Sequence, residues 1–182
     1  MKAEPNSSSS ADESEWIRSA VARFEGPLTL YAARLLGDAD RARDVVQDTF
    51  LKLCRQSAAE LHDRLAEWLF TVCRNRALDV LRKEGRMTRL SDEHSNGYAT
   101  PEPGPSEAME TLECAAQVMK ALENLPPSQR EVIRLKFQNG FSYREISRIS
   151  GHSVSNVGFL IHTGLKTIRR RMADVQPIRL QA

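Results

Sequence analysis

The residues best suited to bind a ligand lie in the last third of the chain. There, amide, hydroxyl and aromatic side chains precede a run of cations. The first group is Ser153, Ser155, Asn156, Phe159 and His162, and the second is Lys166, Arg169 and Arg170, with Arg144 ahead of both. Asn and Ser side chains hydrogen-bond base edges in a major groove, whereas Lys and Arg bind backbone phosphates. This order of residue types is typical of a helix that reads duplex DNA.

The surrounding sequence predicts a helix-turn-helix that would present these residues. Apolar residues in 132–137 recur at helical spacing, and Gly140 supplies the left-handed residue that ends a helix. Ser142 is a good N-cap for the next helix, which Gly151 closes, and a longer helix follows over about 153–172. Two helices joined by so short a turn place the second one in a major groove.

Length and composition restrict the class of protein. With 182 residues, 41% hydrophobic and 27% charged, the chain suits one or two small helical domains. No apolar run reaches the roughly twenty residues of a membrane span, and the amino terminus lacks the basic and apolar segments of a signal peptide. We therefore expect a cytoplasmic protein without membrane insertion.

Catalytic and metal-binding patterns are missing from the sequence. It contains no phosphate-binding loop, no nucleophile elbow and no zinc-protease motif. The cysteines Cys54, Cys73 and Cys114 are far apart and have no CxxC or Cys/His pairing, so we expect three buried free thiols. The sequence thus predicts a protein that is not an enzyme and needs no metal or cofactor.

Charge and composition divide the chain. Residues 64–89 carry 7 basic and 3 acidic groups, residues 91–113 carry 6 acidic groups and no Lys or Arg, and residues 130–182 carry 10 basic and 3 acidic groups. Two basic blocks separated by an acidic, Pro-rich tether indicate two nucleic-acid contacts, although solvated helix faces explain the charge equally well. We expect a disordered tail over 1–13, domains over 14–86 and 111–174, a flexible linker over 87–110 and a tail over 175–182.

The first domain is predicted to contain four helices. One apolar stripe runs from Trp16 to Phe24, and Pro27 is expected to begin a second helix that Gly37 ends. Asp38 caps the third helix, and a polar loop over about 56–64 precedes the fourth. Phe50 belongs to the predicted buried stripe of the third helix, whereas Asp44, Gln47 and Asp48 face outward from it. The polar residues on the other faces of the fourth helix are Arg74, Asn75, Arg76, Asp79, Arg82 and Lys83.

Three segments of this pattern together resemble a known family. ARDVVQDTFLKLCR, AEWLFTVCRNRALDVLRKEGR and LPPSQREVIRLKFQNGFSYREIS are similar to regions two and four of bacterial RNA polymerase sigma factors of the extracytoplasmic-function class. The resemblance covers most of the chain between Leu28 and Met172. It implies an all-helical, two-domain protein that directs core polymerase to promoters and assists DNA melting in transcription initiation.

The resemblance also implies roles for the residues named above. Asp44, Gln47, Asp48 and Phe50 would contact a coiled coil of the largest polymerase subunit. The fourth-helix residues from Arg74 to Lys83 would bind the unpaired minus-ten strand, and the loop over 56–64 would form a pocket for a flipped base. Asn75 could equally brace the neighbouring loop. The implied partners are core polymerase through its largest and second-largest subunits, promoter DNA and an anti-sigma factor.

The last domain departs from the family pattern. Where sigma factors of this class carry several cations within the recognition helix, this chain has Gly158, Leu160, Thr163 and Gly164. Two helical glycines indicate close backbone approach or a helix that needs its partner to be rigid. Phe159 and His162 fit the domain core or a polymerase-facing surface as well as a groove. The alternatives are a stand-alone helix-turn-helix regulator and a protein that sequesters polymerase.

Overall fold

The computed structural model describes residues 7–87 and 108–175, and all of their regular structure is helical. The helices are α1 Ser7–Leu36, α2 Ala39–Leu53, α3 Ala58–Leu61, α4 Leu65–Met87, α5 Ala108–Glu123, α6 Pro127–Phe137, α7 Tyr143–Ser150 and α8 Val154–Val175, with a 3-10 turn, His62–Arg64, before α4. The chain divides into two compact units, the first containing α1 to α4 and the second α5 to α8. The predicted all-helical, two-domain fold is confirmed.

Packing of α1, α2 and α4 builds the first unit. Leu28 from α1, Leu53 from α2 and Phe70 from α4 are buried at its centre. The rings of Tyr31 and Phe70 lie 5.2 Å apart at 50°, within the range of favourable aromatic pairs. Burying one face of each helix leaves the opposite faces of α2 and α4 in contact with solvent.

The prediction that Pro27 begins a new helix is wrong, because α1 continues through this residue. A proline inside a helix removes one backbone hydrogen bond and costs about 3 kcal/mol. However, Ala20, Phe24, Leu28 and Tyr31 form one buried stripe on both sides of Pro27, and a break would take half of it out of the core. Tertiary burial therefore outweighs the local helix-breaking preference.

Two further boundaries differ from the sequence predictions. Helix α1 already begins at Ser7, inside the segment 1–13 expected to be disordered, and residues 1–6 lie outside the described residues. The expected loop over 56–64 is largely the short α3 and the 3-10 turn, with Leu61 buried. Most of the predicted linker, residues 88–107, and most of the predicted carboxy-terminal tail also lie outside the described residues.

The predicted end of α1 and start of α2 are confirmed. Gly37 has a φ of 71°, a left-handed conformation that glycine adopts without steric cost. The Asp38 carboxylate accepts hydrogen bonds from the backbone N–H groups of Asp40 at 2.9 Å and Arg41 at 3.0 Å. The hydrogen bond from Arg41 is the main reason that the pKa of Asp38 lies below its ordinary value.

The second unit packs α8 against α5, α6 and α7. Leu135 of α6, Ile146 of α7 and Val157 of α8 are fully buried and join the three helices of the predicted motif. Glu123, at the end of α5, pairs with the buried guanidinium of Arg134 on α6. This ion pair attaches α5 to the helix-turn-helix.

At Gly164, α8 packs closely against α6. A Cβ atom at this position would lie 2.5 Å from Cδ1 of Ile133 and 3.4 Å from Cδ1 of Leu125. At Gly158, by contrast, a Cβ atom would meet only the Tyr143 ring, at an ordinary 3.6 Å. Close backbone approach, one of the two explanations offered for the glycines, therefore applies to Gly164.

Replacing these glycines should separate helix propensity from packing. We expect Gly158→Ala to raise the free energy of unfolding by roughly 0.5–1 kcal/mol, because alanine favours a helix. The free energy of unfolding of Gly164→Ala should lie about 1–2 kcal/mol below that of Gly158→Ala, because the added methyl group displaces buried Ile133. Urea unfolding followed by circular dichroism measures both values, and equal stabilities would contradict the packing role of Gly164.

The cysteines only partly follow the prediction. Cys73 is fully buried and free, whereas Cys54, which follows α2, is free and exposed, contrary to expectation. Burial raises the pKa of the Cys73 thiol from 9.0 to about 12, partly offset by a hydrogen bond with Thr49. The side chain of Cys114 lies outside the described residues.

The elevated pKa of Cys73 should make stability fall in alkaline solution. The folded state holds this proton more tightly than the unfolded state, so its contribution is complete below pH 9.0 and is lost as the pH rises toward 12. Between those values, the free energy of unfolding of the parent chain should fall with pH more steeply than that of Cys73→Ala. The difference between the two slopes should correspond to the release of about one proton. Parallel curves from urea unfolding at each pH would refute this linkage.

Candidate polymerase and nucleic-acid interface

Helix α7 is fixed at both ends by the residues that the sequence analysis identified. Ser142 N–H donates to the Glu145 carboxylate at 2.7 Å, and Glu145 N–H donates to the Ser142 hydroxyl at 3.3 Å, forming a capping box. The hydrogen bonds from Ser142 hold the pKa of Glu145 below its ordinary value. At the other end, Gly151 has a φ of 76° and closes the helix.

Serine hydroxyls hold the turn between α7 and α8. Ser147 donates to the carbonyl of His152 at 2.6 Å, and the N–H of His152 donates to Ser150 Oγ at 3.4 Å. Ser153 accepts from the N–H of Asn156 at 3.2 Å and so caps α8. The predicted start of the long helix near residue 153 is confirmed. These hydrogen bonds fix the direction in which α8 leaves the turn.

The two faces of α8 differ sharply in composition. Val157, Ile161 and Ile168 are buried against the rest of the second unit. The predicted groove residues all lie exposed on the rest of the helix surface: Ser153, Ser155, Asn156, Phe159, His162, Lys166, Arg169 and Arg170. From Ser155 onward they form a stripe of about 22 Å, neutral in its first half and cationic in its second.

The exposure of Phe159 and His162 decides against the domain core as their location. Phe159 exposes 63% of its surface. The Asn156 side-chain amide lies 3.4 Å from Nδ1 of His152, and the Thr163 hydroxyl donates to the Phe159 carbonyl at 2.8 Å. The first half of the stripe thus consists of polar and aromatic groups.

Two arginines lie outside this stripe. Arg144 is exposed at the start of α7, on the helix that precedes the recognition helix. Arg171, which follows Arg169 and Arg170 in the sequence, is half-buried and donates to the carbonyl of Ala121 on α5 at 3.4 Å. The end of α8 therefore uses one of its three consecutive arginines to hold α5.

In the first unit, α2 presents an exposed face that contains two of its four predicted contact residues. Asp44 and Gln47 are exposed, whereas Asp48 and Phe50 are half-buried. Leu51 lies one turn after Gln47 on the same face and exposes 63% of its surface. The sequence analysis did not identify Leu51, although its helical spacing to Asp44 and Gln47 places it on their face.

On α4 the predicted DNA residues also divide into two groups. Asn75, Asp79, Arg82 and Lys83 are exposed, and Arg82 pairs with Asp79 at 2.9 Å, while Arg74 and Arg76 are half-buried.

A hydrogen-bonded ion pair joins the α2 and α4 faces. Nε of Arg76 lies 2.7 Å from the Asp48 carboxylate, although the sequence assigned these residues to different partners. Arg41 and Glu84 form a second bridge between the same helices at 2.6 Å. The paired residues are 28 and 43 positions apart, well beyond neighbouring turns of one helix, so the spacing of charges along the chain indicates neither pair.

Other classes of site receive no support from the described residues. Among them, no group of three His, Cys, Asp or Glu side chains could hold a metal ion. None of the helices in this part of the chain combines the length and the hydrophobicity of a membrane span. The arrangement of residues instead offers polar and cationic helix surfaces for macromolecules.

Comparison with known proteins finds matches to two family models. Residues 20–87 match the model of sigma-70 region 2, and residues 115–168 match that of sigma-70 region 4. The chain is 34% identical over 131 residues to the ECF RNA polymerase sigma factor EcfG of Rhodopseudomonas palustris, covering 71% of this chain and 70% of that one. It is 26% identical over 171 residues to the sigma factor SigL of Mycobacterium tuberculosis, covering 93% and 96% respectively.

A solved structure agrees in fold. The sigma factor RpoE of Bartonella quintana, crystallised with the anti-sigma factor NepR, matches with a TM-score of 0.63 and 25% identity. The match covers 86% of this chain and 96% of that one. The chain matches both sigma regions, and it matches sigma factors both in sequence and in fold. These matches favour neither the stand-alone regulator nor the sequestering protein. The chain belongs to the extracytoplasmic-function (ECF) family of RNA polymerase sigma factors, which direct the core enzyme to promoters for transcription initiation.

Proposed function

We propose that the two units divide promoter recognition between them. Residues 14–86 would bind core polymerase and the minus-ten element, and residues 111–174 would bind the minus-thirty-five element. The observation that carries this proposal is the exposed stripe of α8, which a capped turn presents opposite a buried apolar face. A recognition helix in a major groove needs this separation of faces.

The first half of α8 would read bases, and the second half would bind phosphates. Ser153, Ser155 and Asn156 lie at the amino-terminal end, which enters the groove in helix-turn-helix proteins, and Phe159 and His162 follow. Lys166, Arg169, Arg170 and, from α7, Arg144 would release counterions from the DNA backbone. The base contacts set specificity, while the cations add affinity that does not depend on sequence.

The exposed face of α2 would bind the polymerase. Asp44 and Gln47 supply hydrogen-bonding groups, and Leu51 supplies apolar surface beside them. We propose that this face binds a coiled coil of the largest subunit and that the second unit contacts the second-largest subunit. Because Asp48 already pairs with Arg76, and Phe50 is half-buried, these two residues would support the face more than contact the partner.

The face of α4 would hold the unpaired minus-ten strand. Asn75, Arg82 and Lys83 are exposed for base-edge and phosphate contacts, and the half-buried Arg74 would support them. The ion pairs of Arg76 with Asp48 and of Arg82 with Asp79 orient both guanidinium groups, while leaving other N–H donors of each for DNA. The short α3 and the 3-10 turn would border the pocket for a flipped base, whose extrusion costs a few kcal/mol of stacking.

We also propose regulation by an anti-sigma factor and action in the cytoplasm, where polymerase and promoters are found. The support is the similarity to a sigma factor crystallised with the anti-sigma factor NepR. Such a partner would cover the polymerase-binding face of α2. Neither proposal involves a cofactor or catalysis by the chain itself.

Reconstitution with core polymerase tests the function and the α2 face together. We expect the chain to co-elute with core enzyme in size exclusion and to direct transcription from discrete start sites on a fragmented library of the source genome. Asp44→Arg should weaken core binding about tenfold or more, the effect of losing a charged hydrogen bond and adding repulsion. Glu25→Arg, a similar charge reversal on an exposed position of α1, is the control.

The outcomes separate the competing functions. Co-elution without transcripts would favour a sequestering protein, and absence of co-elution would favour a stand-alone regulator. If Asp44→Arg bound core enzyme as tightly as Glu25→Arg, with both variants folded by circular dichroism, the proposed role of the α2 face would be lost.

Two substitutions in α8 should have different signatures in the holoenzyme. Asn156→Ala should relax preference at one upstream base pair by about tenfold, because a good bidentate contact is worth roughly 1–3 kcal/mol. Arg170→Ala should weaken all promoters alike and lower the slope of log affinity against log salt by about one ion. Promoter binding measured across base variants and salt concentrations checks both. Indistinguishable signatures would refute the division of α8 into base-reading and phosphate-binding halves.

A further inference from the structure

An aromatic side chain stands in the middle of a stripe that is otherwise polar and basic. Phe159 exposes 63% of its surface one turn after Ser155 and one turn before His162. The three cations of the second half begin about 10 Å further along the helix, at Lys166. The flanking residues are those that suit a polyanion, so an apolar protein surface is a poor match for this face.

The immediate surroundings of Phe159 make the apolar character local. Thr163, one turn later, turns its hydroxyl to the backbone carbonyls of Phe159 at 2.8 Å and Leu160 at 3.2 Å. That hydroxyl is therefore engaged within the helix. Gly158, the preceding residue, has no side chain that could project beside the ring. The exposed ring is the largest group on this part of α8.

We propose that Phe159 reads a thymine in the minus-thirty-five element through its C5-methyl group. In a major groove, the thymine methyl is the apolar group that base edges present, and a phenyl ring packs against it without forming hydrogen bonds. This contact removes apolar surface of both partners from water. The inference rests on the proposed function and adds a base identity to the α8 stripe.

Uracil provides a probe that differs from thymine only by this methyl group. The preferred promoter of the holoenzyme is first selected from a library randomised across the upstream element. Each thymine in the selected element is then replaced by deoxyuridine, one at a time and on each strand. At one position, initiation should fall about fourfold, the effect expected from removing one buried methyl group from an apolar contact.

Substitutions at Phe159 test whether this residue senses the methyl group. Phe159→Ala should transcribe the thymine and uracil promoters equally, and Phe159→Leu should keep part of the difference. Both changes are on an exposed helix surface, where alanine and leucine favour the helix. Phe137→Ala, which removes a ring of similar exposure, 61%, from the end of α6, should keep the full fourfold difference.

Several results would overturn the inference. A selected element without thymine, the absence of any uracil effect, or a uracil effect that persists in Phe159→Ala would each do so. A loss of core binding in Phe159→Ala with unchanged thymine preference would assign the ring to a protein contact instead. Promoter-specific transcription in these cases leaves the proposed function intact, whereas absence of initiation from every promoter removes both.

Discussion

Contact between α8 and α6 at Gly164 determines which residues of the second unit meet a partner. Because no side chain separates the helices there, Val157, Ile161 and Ile168 can all be buried on one side of α8. A helix has one rotational setting that satisfies this packing, and that setting exposes the stripe around Phe159. The proposed DNA-facing surface is thus a consequence of core packing, and its residues can vary without altering the fold.

The proposed DNA surface relies less on charge than a typical duplex reader. Lys166, Arg169 and Arg170 lie in one half of the stripe, and Arg171 is directed to α5. Counterion release scales with the number of phosphates bound, so we expect the sequence-independent part of the affinity for DNA to be modest. In the proposed complex with polymerase, tethering would raise the effective concentration of the second unit near the promoter and offset this weakness.

Local signals in the sequence predicted the helix boundaries that depend on local chemistry. Asp38, Ser142 and Gly151 cap or close helices through contacts with near neighbours, and each was identified from residue type and position. The helix through Pro27 and the structured segment 56–64 were missed because burial of distant residues overrides local preference. For the site, the exposed stripe of α8 followed from periodicity, whereas the role of Asp48 did not, because its partner is 28 residues away.

The bridge between Asp48 and Arg76 connects the two proposed ligand faces of the first unit. Removing either side chain breaks this link between α2 and α4 and changes the support of both helices, although the remaining charge is partly solvated. The effects of Asp48 and Arg76 substitutions are therefore expected to be non-additive, and a survey of single alanine variants would assign each residue to both partners. We therefore expect epistasis between the two proposed faces, which would keep either surface from diverging fully independently of the other.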